Sequence, residues 1–502
     1  MLSGLDRLVL RGTLRSLAFT AGMMGFLSRM GVLLKDVGAY VQKTSERLKE
    51  ASCEAARRLE RPIMYLPSAE TRKEDAARQI AQRDGIREGL ICILTCVESC
   101  RSYEVHRDRS QKKLVLESRL RKCLHLYHYW IDPCFGFMHA RIQSWFPFGI
   151  QVCLNGREWL ARQIDRKGMA YRRRENCFPW IEDLPRAQKL MDRLSRISWP
   201  SMLRQMARQL NPAQGEILGG TGIEYYWSVH QSEWATDVLF QSPAALASIY
   251  PGLVRGGIAV FSSPDVMRFL GKKPNGNFQG EVISDYRQRP EGIRVKHQLK
   301  RNSVKVYDKQ GSVLRVETTI HDPSDFRVFR PKQDAPEGPC QWQAMRKGIA
   351  DLRRRTEVSQ ACNERYLDAL ASLSTEQPLA DLLTPVCRPR QWKGGRVRAL
   401  QPWSPEDRSL LQAINRGEFA LNGIRNRDLA AILYPRSLNS PEEKRRASGR
   451  ITRKLRLLRA HGILRKVPRT HRYVLTKRGR QITVAALQYQ NLTLEQLNKT
   501  AA

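Results

Sequence analysis

The residues best suited to chemistry lie in one short stretch, residues 302–320, NSVKVYDKQGSVLRVETTI, which carries Lys305, Tyr307 and Lys309 in its first half and Arg315 and Glu317 in its second. Both halves alternate apolar with polar residues about DKQG, and this predicts a tight β-hairpin. In a register that places Lys305, Arg315 and Glu317 on one face, a carboxylate is fenced by cations. That arrangement suits metal or phosphate chemistry, because nearby positive charge keeps the carboxyl ionised and its oxygens are hard ligands. The same residues also suit a solvated network of Arg315 and Glu317 on a stable hairpin, with no chemistry attached.

Whatever positions these residues belongs to a strongly basic chain. Its 502 residues include 86 Lys and Arg against 49 Asp and Glu, a formal charge of +37. Self-repulsion on that scale calls for a polyanionic partner, and nucleic acid, DNA or RNA, is the leading one. The apolar run LAFTAGMMGFL has about half the length of a membrane span and lacks a cleavage pattern, so no membrane partner and a cytoplasmic location are expected. The 11 cysteines are an odd, scattered set that fits a reduced compartment. Cys123, His125, His128, Cys134 and His139 share a window but fit no zinc-finger spacing.

Periodicity and punctuation predict a multidomain α+β chain. Residues 1–215 read as a mixed α/β basic domain, 216–335 as an α+β candidate catalytic domain, 336–403 as a helical linker region, 404–490 as a compact C-terminal domain and 491–502 as a tail. In the first, Tyr127, Tyr129, Trp130, Trp145, Phe146 and Phe148 among Arg121, Arg141 and Arg157 suit either a single-strand stacking platform or an ordinary core with a basic rim. Asn155 is expected to cap a helix over NGREWLARQIDRKG. The connector CRPRQWKGGRVRALQPW is strongly cationic and contains a Gly-Gly pair, which leaves it open between a phosphate-contacting arm and a solvated loop.

The C-terminal segment has the firmest pattern. SPEDRSLLQAI is a helix capped by Ser404, RNRDLAAILYP is a second, and SPEEKRRASGRITRKLRLLRAHGIL is a third, capped by Ser440 and closed at Gly462. ILRKV and RYVLT then form two short strands with a basic tip. This order resembles the winged-helix family. The resemblance implies that Arg450, Arg453, Lys454 and Arg456 enter or flank a DNA groove, while Arg469, His471 and Arg472 contact the backbone or minor groove.

Residues 302–320 in turn resemble a segment of the rolling-circle replication initiators of plasmids and filamentous phages, in which a strand ending in Tyr-Asp-Lys precedes one carrying Arg-x-Glu. That resemblance implies a metal-dependent nicking centre at or beside Tyr307, Lys309, Arg315 and Glu317, in a protein of the kind carried by mobile elements. Strand cleavage requires a cation at the phosphate and a positioned oxygen nucleophile, tyrosine or water. Glu317 is the expected ligand of a divalent metal, Mg or Mn. Asp237 in WATDVLF is its expected companion, with Asp322 and Asp325 as others. Two further readings remain. Asp6 in GLDRLVLRGTL resembles the first-strand aspartate of RNase H-like nucleases and transposases, which use water. A non-catalytic DNA- or RNA-binding regulator, or a guide-RNA-dependent effector, needs no metal.

Overall fold

The structure of the protein is a computed structural model that describes every residue except 68–71, 111, 260, 262, 273–280, 290–291, 333, 373–378, 417–418, 420–422, 436–439, 469 and 490–502. The expected tail, 491–502, therefore lies outside the described residues. The architecture is α+β, in two compact units: Met1–Leu239 with Glu317–Gln360, and Phe240–Val316 with Ala361–Ala502. Among the described residues no single helix is long and apolar enough to cross a membrane.

The first unit is built around β1 (Leu2–Leu14), whose leucines and valine at positions 2, 5, 8, 9 and 10 are buried. Its sheet also contains β2 (Ile63–Tyr65), β3 (Gly89–Asp108), β4 (Lys113–Asp132), β5 (Gly136–Gln143) and β6 (Ile150–Asn155). A separate hairpin, β7 (Tyr171–Arg174) and β8 (Cys177–Ile181), precedes β9 (Tyr225–Leu239). The order is β9-β1-β6-β5-β4-β3-β2, and β1 runs antiparallel to both neighbours. β2 lies parallel to its partner, β3, whereas the β3–β4, β4–β5 and β5–β6 pairs are antiparallel, which makes the sheet mixed.

Because β9 pairs with β1 along most of its length, the region 216–335 is not a domain of its own, contrary to the expectation from sequence. The aromatic stretch of residues 127–148 contributes to the core, with Tyr127, Trp130 and Trp145 half-buried. Tyr129, Phe146 and Phe148 are buried, Tyr127 donates its hydroxyl proton to Glu98 at 2.6 Å, and Arg141 also binds Glu98.

Two glycines let helices press onto β1. Gly156, second in NGREWL, opens the helix Gly156–Asp165 directly against the strand, and a Cβ there would stand 1.8 Å from the Leu5 carbonyl oxygen. Asn155 caps that helix as expected, its side chain accepting from the Arg157 and Glu158 amides. A Cβ on Gly4 would meet Met191 of the helix Leu184–Arg193 at 2.3 Å.

In the second unit, β10 (Val282–Arg289), β11 (Gly292–Leu299), β12 (Asn302–Lys309) and β13 (Val313–Ile320) follow one another as neighbours. Between β12 and β13, Gln310 and Gly311 both take positive φ (61° and 77°), the pairing a tight hairpin turn demands. The last residues of β13, from Glu317, belong to the first unit, where the strand neighbours β9. Nearby in sequence, β14 (Arg327–Arg330) pairs with β15 (Gln341–Ala344).

The C-terminal part has its own buried cluster, and that cluster begins upstream of the expected boundary at residue 404. It includes Leu382, Leu383, Val386, Val397 and Leu400. The expected linker thus contains an ordered hairpin, β16 (Arg390–Trp392) and β17 (Gly395–Val397), turning at Lys393 and Gly394 with φ of 49° and 73°. Helices Pro405–Ile414, Asn426–Leu433 and Pro441–Ala460 follow, then β18 (Leu464–Lys466), β19 (Tyr473–Leu475) and the helix Lys477–Tyr489. Ser404 and Ser440 cap their helices as expected, each accepting a backbone N–H at 3.2 Å.

The fit of Gly156 gives a direct test. Gly156→Ala should destabilise the first unit by about 1–3 kcal/mol, because the methyl group meets backbone that cannot yield cheaply. Gly38→Ala, in the open within the helix Val37–Arg58, should be neutral or stabilising by up to about 1 kcal/mol. Denaturant unfolding of both variants checks the contrast, and equal stabilities would contradict the packing at β1.

Candidate functional site

β1 does not run in plain register along β9. Leu5 stands opposite Trp234 and Arg7 opposite Glu233, so Asp6 is an extra residue at a β-bulge. A bulge sets two residues of one strand against one of the other and re-aims a side chain. Here it brings Asp6 towards Glu233. Glu317, on the strand at the other side of β9, completes a group in which one carboxylate oxygen from each of Asp6, Glu233 and Glu317 lies within 4.8 Å of the others. Asp6 and Glu317 are 3% and 1% exposed, and Glu233 is half-buried. Such a group can hold a metal ion.

The surroundings fix each strand. Asn176, in the turn of the β7–β8 hairpin, donates to both oxygens of Asp6 at 3.1 and 2.9 Å. Arg355, in the helix Leu352–Ala371, is buried under β9. Its Nε donates to the Ser232 hydroxyl at 2.7 Å, and its two terminal nitrogens donate to the carbonyls of Val229 and Ile320. One guanidinium therefore ties the strand carrying Glu233 to the strand carrying Glu317. Burial pulls its pKa down, yet a guanidinium remains protonated at neutral pH.

Of the residues expected from sequence, Glu317 and Asp6 are in this group and Asp237 is not. Asp237 is bound instead by Arg157 at 3.0 Å, both side chains fully buried. It shares a strand with Glu233 but lies four residues along, roughly 13 Å by strand rise. Asp322 serves as a local cap, accepting from the Ser324 amide at 3.1 Å. Tyr307, Lys309 and Arg315 belong to the second unit, where Lys309 and Arg315 are buried and the Lys305 ammonium lies 5.7 Å from the centroid of the Tyr307 ring. Sequence reading missed Glu233, Asn176 and Arg355. Glu233 alone had a signal, as the acid preceding Asp237 on the same predicted strand.

The basic residues expected to meet nucleic acid are placed unevenly. Arg450, Arg453, Arg456 and His471 are exposed and Arg472 is half-buried, whereas Arg469 lies outside the described residues. Lys454 departs from the expectation. It is 7% exposed and bound to Glu406 at 2.5 Å, so its charge is matched within the fold. A cleft of about 790 Å³, lined by Arg425, Arg427, Thr452, His471 and Arg472, separates the helix Pro441–Ala460 from the β18–β19 tip.

Comparison of the chain with protein-family models, curated proteins and solved structures finds no match. The reading of the site therefore rests on its geometry.

Replacing one carboxylate by an amide removes a ligand of the group, so the response to metal reports the grouping. Manganese should raise the melting temperature of the wild type and leave that of Asp6→Asn unchanged. Differential scanning calorimetry checks both, and an equal manganese response in the two proteins would contradict the grouping.

Proposed function

We propose that the protein is a metal-dependent nuclease that cleaves a nucleic-acid strand at Asp6, Glu233 and Glu317, and that its C-terminal segment acts as a winged helix recruiting it to duplex DNA. One observation carries this reading: three strands of one unit converge three carboxylates within 4.8 Å inside a chain of net charge +37. Carboxylates are the wrong side chains for binding a polyanion directly. They suit a basic protein only when a cation stands between them and a phosphate.

The donor set is all oxygen, which selects Mg or Mn over the softer metals. A single ion of that size spaces its oxygen ligands by at most about 4.2 Å, so small side-chain rotations close the observed group around it. When bound, such an ion neutralises the scissile phosphate and activates an attacking oxygen. The protein's own residues do the remaining work. Asp6, Glu233 and Glu317 hold the ion, Asn176 fixes the rotamer of Asp6, and Arg355 keeps the Glu233 and Glu317 strands in step.

Water is the nucleophile on this reading. The ligand set is complete within one unit, and hydrolysis takes its oxygen from solvent: water adds to phosphorus, the phosphorus–oxygen ester bond breaks, and the leaving oxygen takes up a proton. The rolling-circle reading differs in routing the attack through Tyr307 and leaving the protein covalently attached to DNA.

Incubation of the full chain with manganese and a labelled DNA duplex or single strand tests the proposal. Glu317→Gln and Glu233→Gln should each lower cleavage by about two orders of magnitude or more while nucleic-acid binding persists. Tyr307→Phe should cut as the wild type does, with no covalent adduct in either protein. A protein–DNA adduct lost in Tyr307→Phe would transfer the chemistry to tyrosine, and full cleavage by folded Glu317→Gln would remove this site.

A further inference from the structure

The hairpin β16–β17 packs on the helix Pro441–Ala460. Trp392 lies beneath the Arg459 guanidinium at 5.0 Å, and Gly395 is so close to Arg456 that a Cβ there would stand 2.7 Å from a guanidinium nitrogen. Between them opens a cleft of about 430 Å³ lined by Arg396, Arg398, Arg450, Arg453, Lys454 and Arg456, with Glu406 and Tyr434. Two of these cations are neutralised. Lys454 binds Glu406, whose pKa it holds below the usual carboxylate range, and Arg398 forks onto buried Asp407 with both contacts at 2.7 Å. Among the described residues Arg396, Arg450, Arg453 and Arg456 have no carboxylate partner; Arg450 lies over the Tyr434 ring at 5.5 Å. Four converging guanidiniums without acid repel one another unless an anion joins them.

The helix geometry identifies the anion. Successive residues turn by about 100°. Ser448 and Thr452, which line the cleft beside the β18–β19 tip, therefore occupy one flank, and Arg450 and Leu457, which line the cleft beside β16–β17, occupy the opposite flank. Exposed Arg453 and Arg456 project between the two. The two basic hairpins thus flank the helix along 448–457 and approach each other at its C-terminal end, where the Arg459 guanidinium lies 5.0 Å from the Trp392 ring and 5.8 Å from the Tyr473 ring. A helix with its side chains is about 10–12 Å across, which matches the roughly 12 Å width of the DNA major groove, whose two walls are phosphate backbones.

We propose that β16–β17 is a second phosphate-gripping arm: Arg396 and Arg450 hold the backbone of the groove wall opposite the one met by His471 and Arg472. The proposal rests on reading the helix Pro441–Ala460 as a duplex-contacting element and adds the partner of its other flank.

The test measures duplex DNA binding by the full chain over a range of salt concentrations, for the wild type, the Arg396→Ala/Arg450→Ala double variant and the Arg396→Lys/Arg450→Lys double variant. Each phosphate contact contributes about 0.9 to the slope of log K against log salt, so the alanine variant should bind about 10–100-fold more weakly with a slope reduced by about two, and the lysine variant should keep the slope. If the wild type binds duplex steeply with salt but the alanine variant matches it in affinity and slope, the second arm is wrong and the helix reading stands. Weaker binding of the alanine variant with an unchanged slope also overturns the arm, because the arginines would then act through packing. Absence of salt-dependent duplex binding by the wild type overturns the helix reading, and the arm with it.

Discussion

The first unit is organised around a convergence of like charge. Three carboxylates lie within 4.8 Å of one another, a range at which ionised groups repel. The fold imposes this through specific devices. A bulge re-aims Asp6, a buried arginine ties two strands from beneath, and a glycine admits a helix against the Leu5 carbonyl beside the bulge. A cation relieves all of the pairwise repulsion together, whereas protonation relieves it one group at a time. Ligand positions held in place before the metal arrives are what a preorganised centre requires.

The charge pattern of the rest of the chain is the complement of that centre. Acidic residues are scarce overall, yet the described acids are often spent on bracing arginines. Asp237 holds Arg157, Asp407 holds Arg398, and Glu98 holds Arg141. Paired in this way, those arginines contribute little to an external field. Among the described residues, Arg450, Arg453 and Arg456 on the C-terminal helix and Arg396 on the hairpin beside it have no carboxylate partner, and on the proposed function a polyanion supplies the missing charge there. On the proposed function, recognition and cleavage are thus separated by sign: cations bind the strand, and anions hold the ion that cuts it.

How much of this was legible depended on whether the deciding interaction was local. The hairpin of residues 302–320 and the caps Asn155, Ser404 and Ser440 are local, and each was readable from alternation or from a hydroxyl or amide ahead of a helix. Glu317 and Asp6 were both visible as candidates, but as members of rival schemes, because nothing in the chain shows that β1 and β13 flank the same strand. Asp237 was named and Glu233 passed over for a related reason. Both project from the same side of β9, and the bulge between Leu5 and Arg7 that selects Glu233 is a property of strand pairing. Arg355 was hidden by its setting, since in LRRRTEV it resembles any solvated helix arginine. The stretch of residues 387–403 was read as a connector because its charges outnumber Trp392, Val397 and Leu400, the residues that anchor it.

The central claim is that Asp6, Glu233 and Glu317 jointly hold a divalent cation. Anomalous diffraction from crystals of the full chain grown with manganese addresses it most directly. The account predicts an anomalous peak at about 2.1–2.2 Å from a carboxylate oxygen of each of the three residues. A fully occupied manganese peak elsewhere in the protein, with none among these three carboxylates, would contradict it.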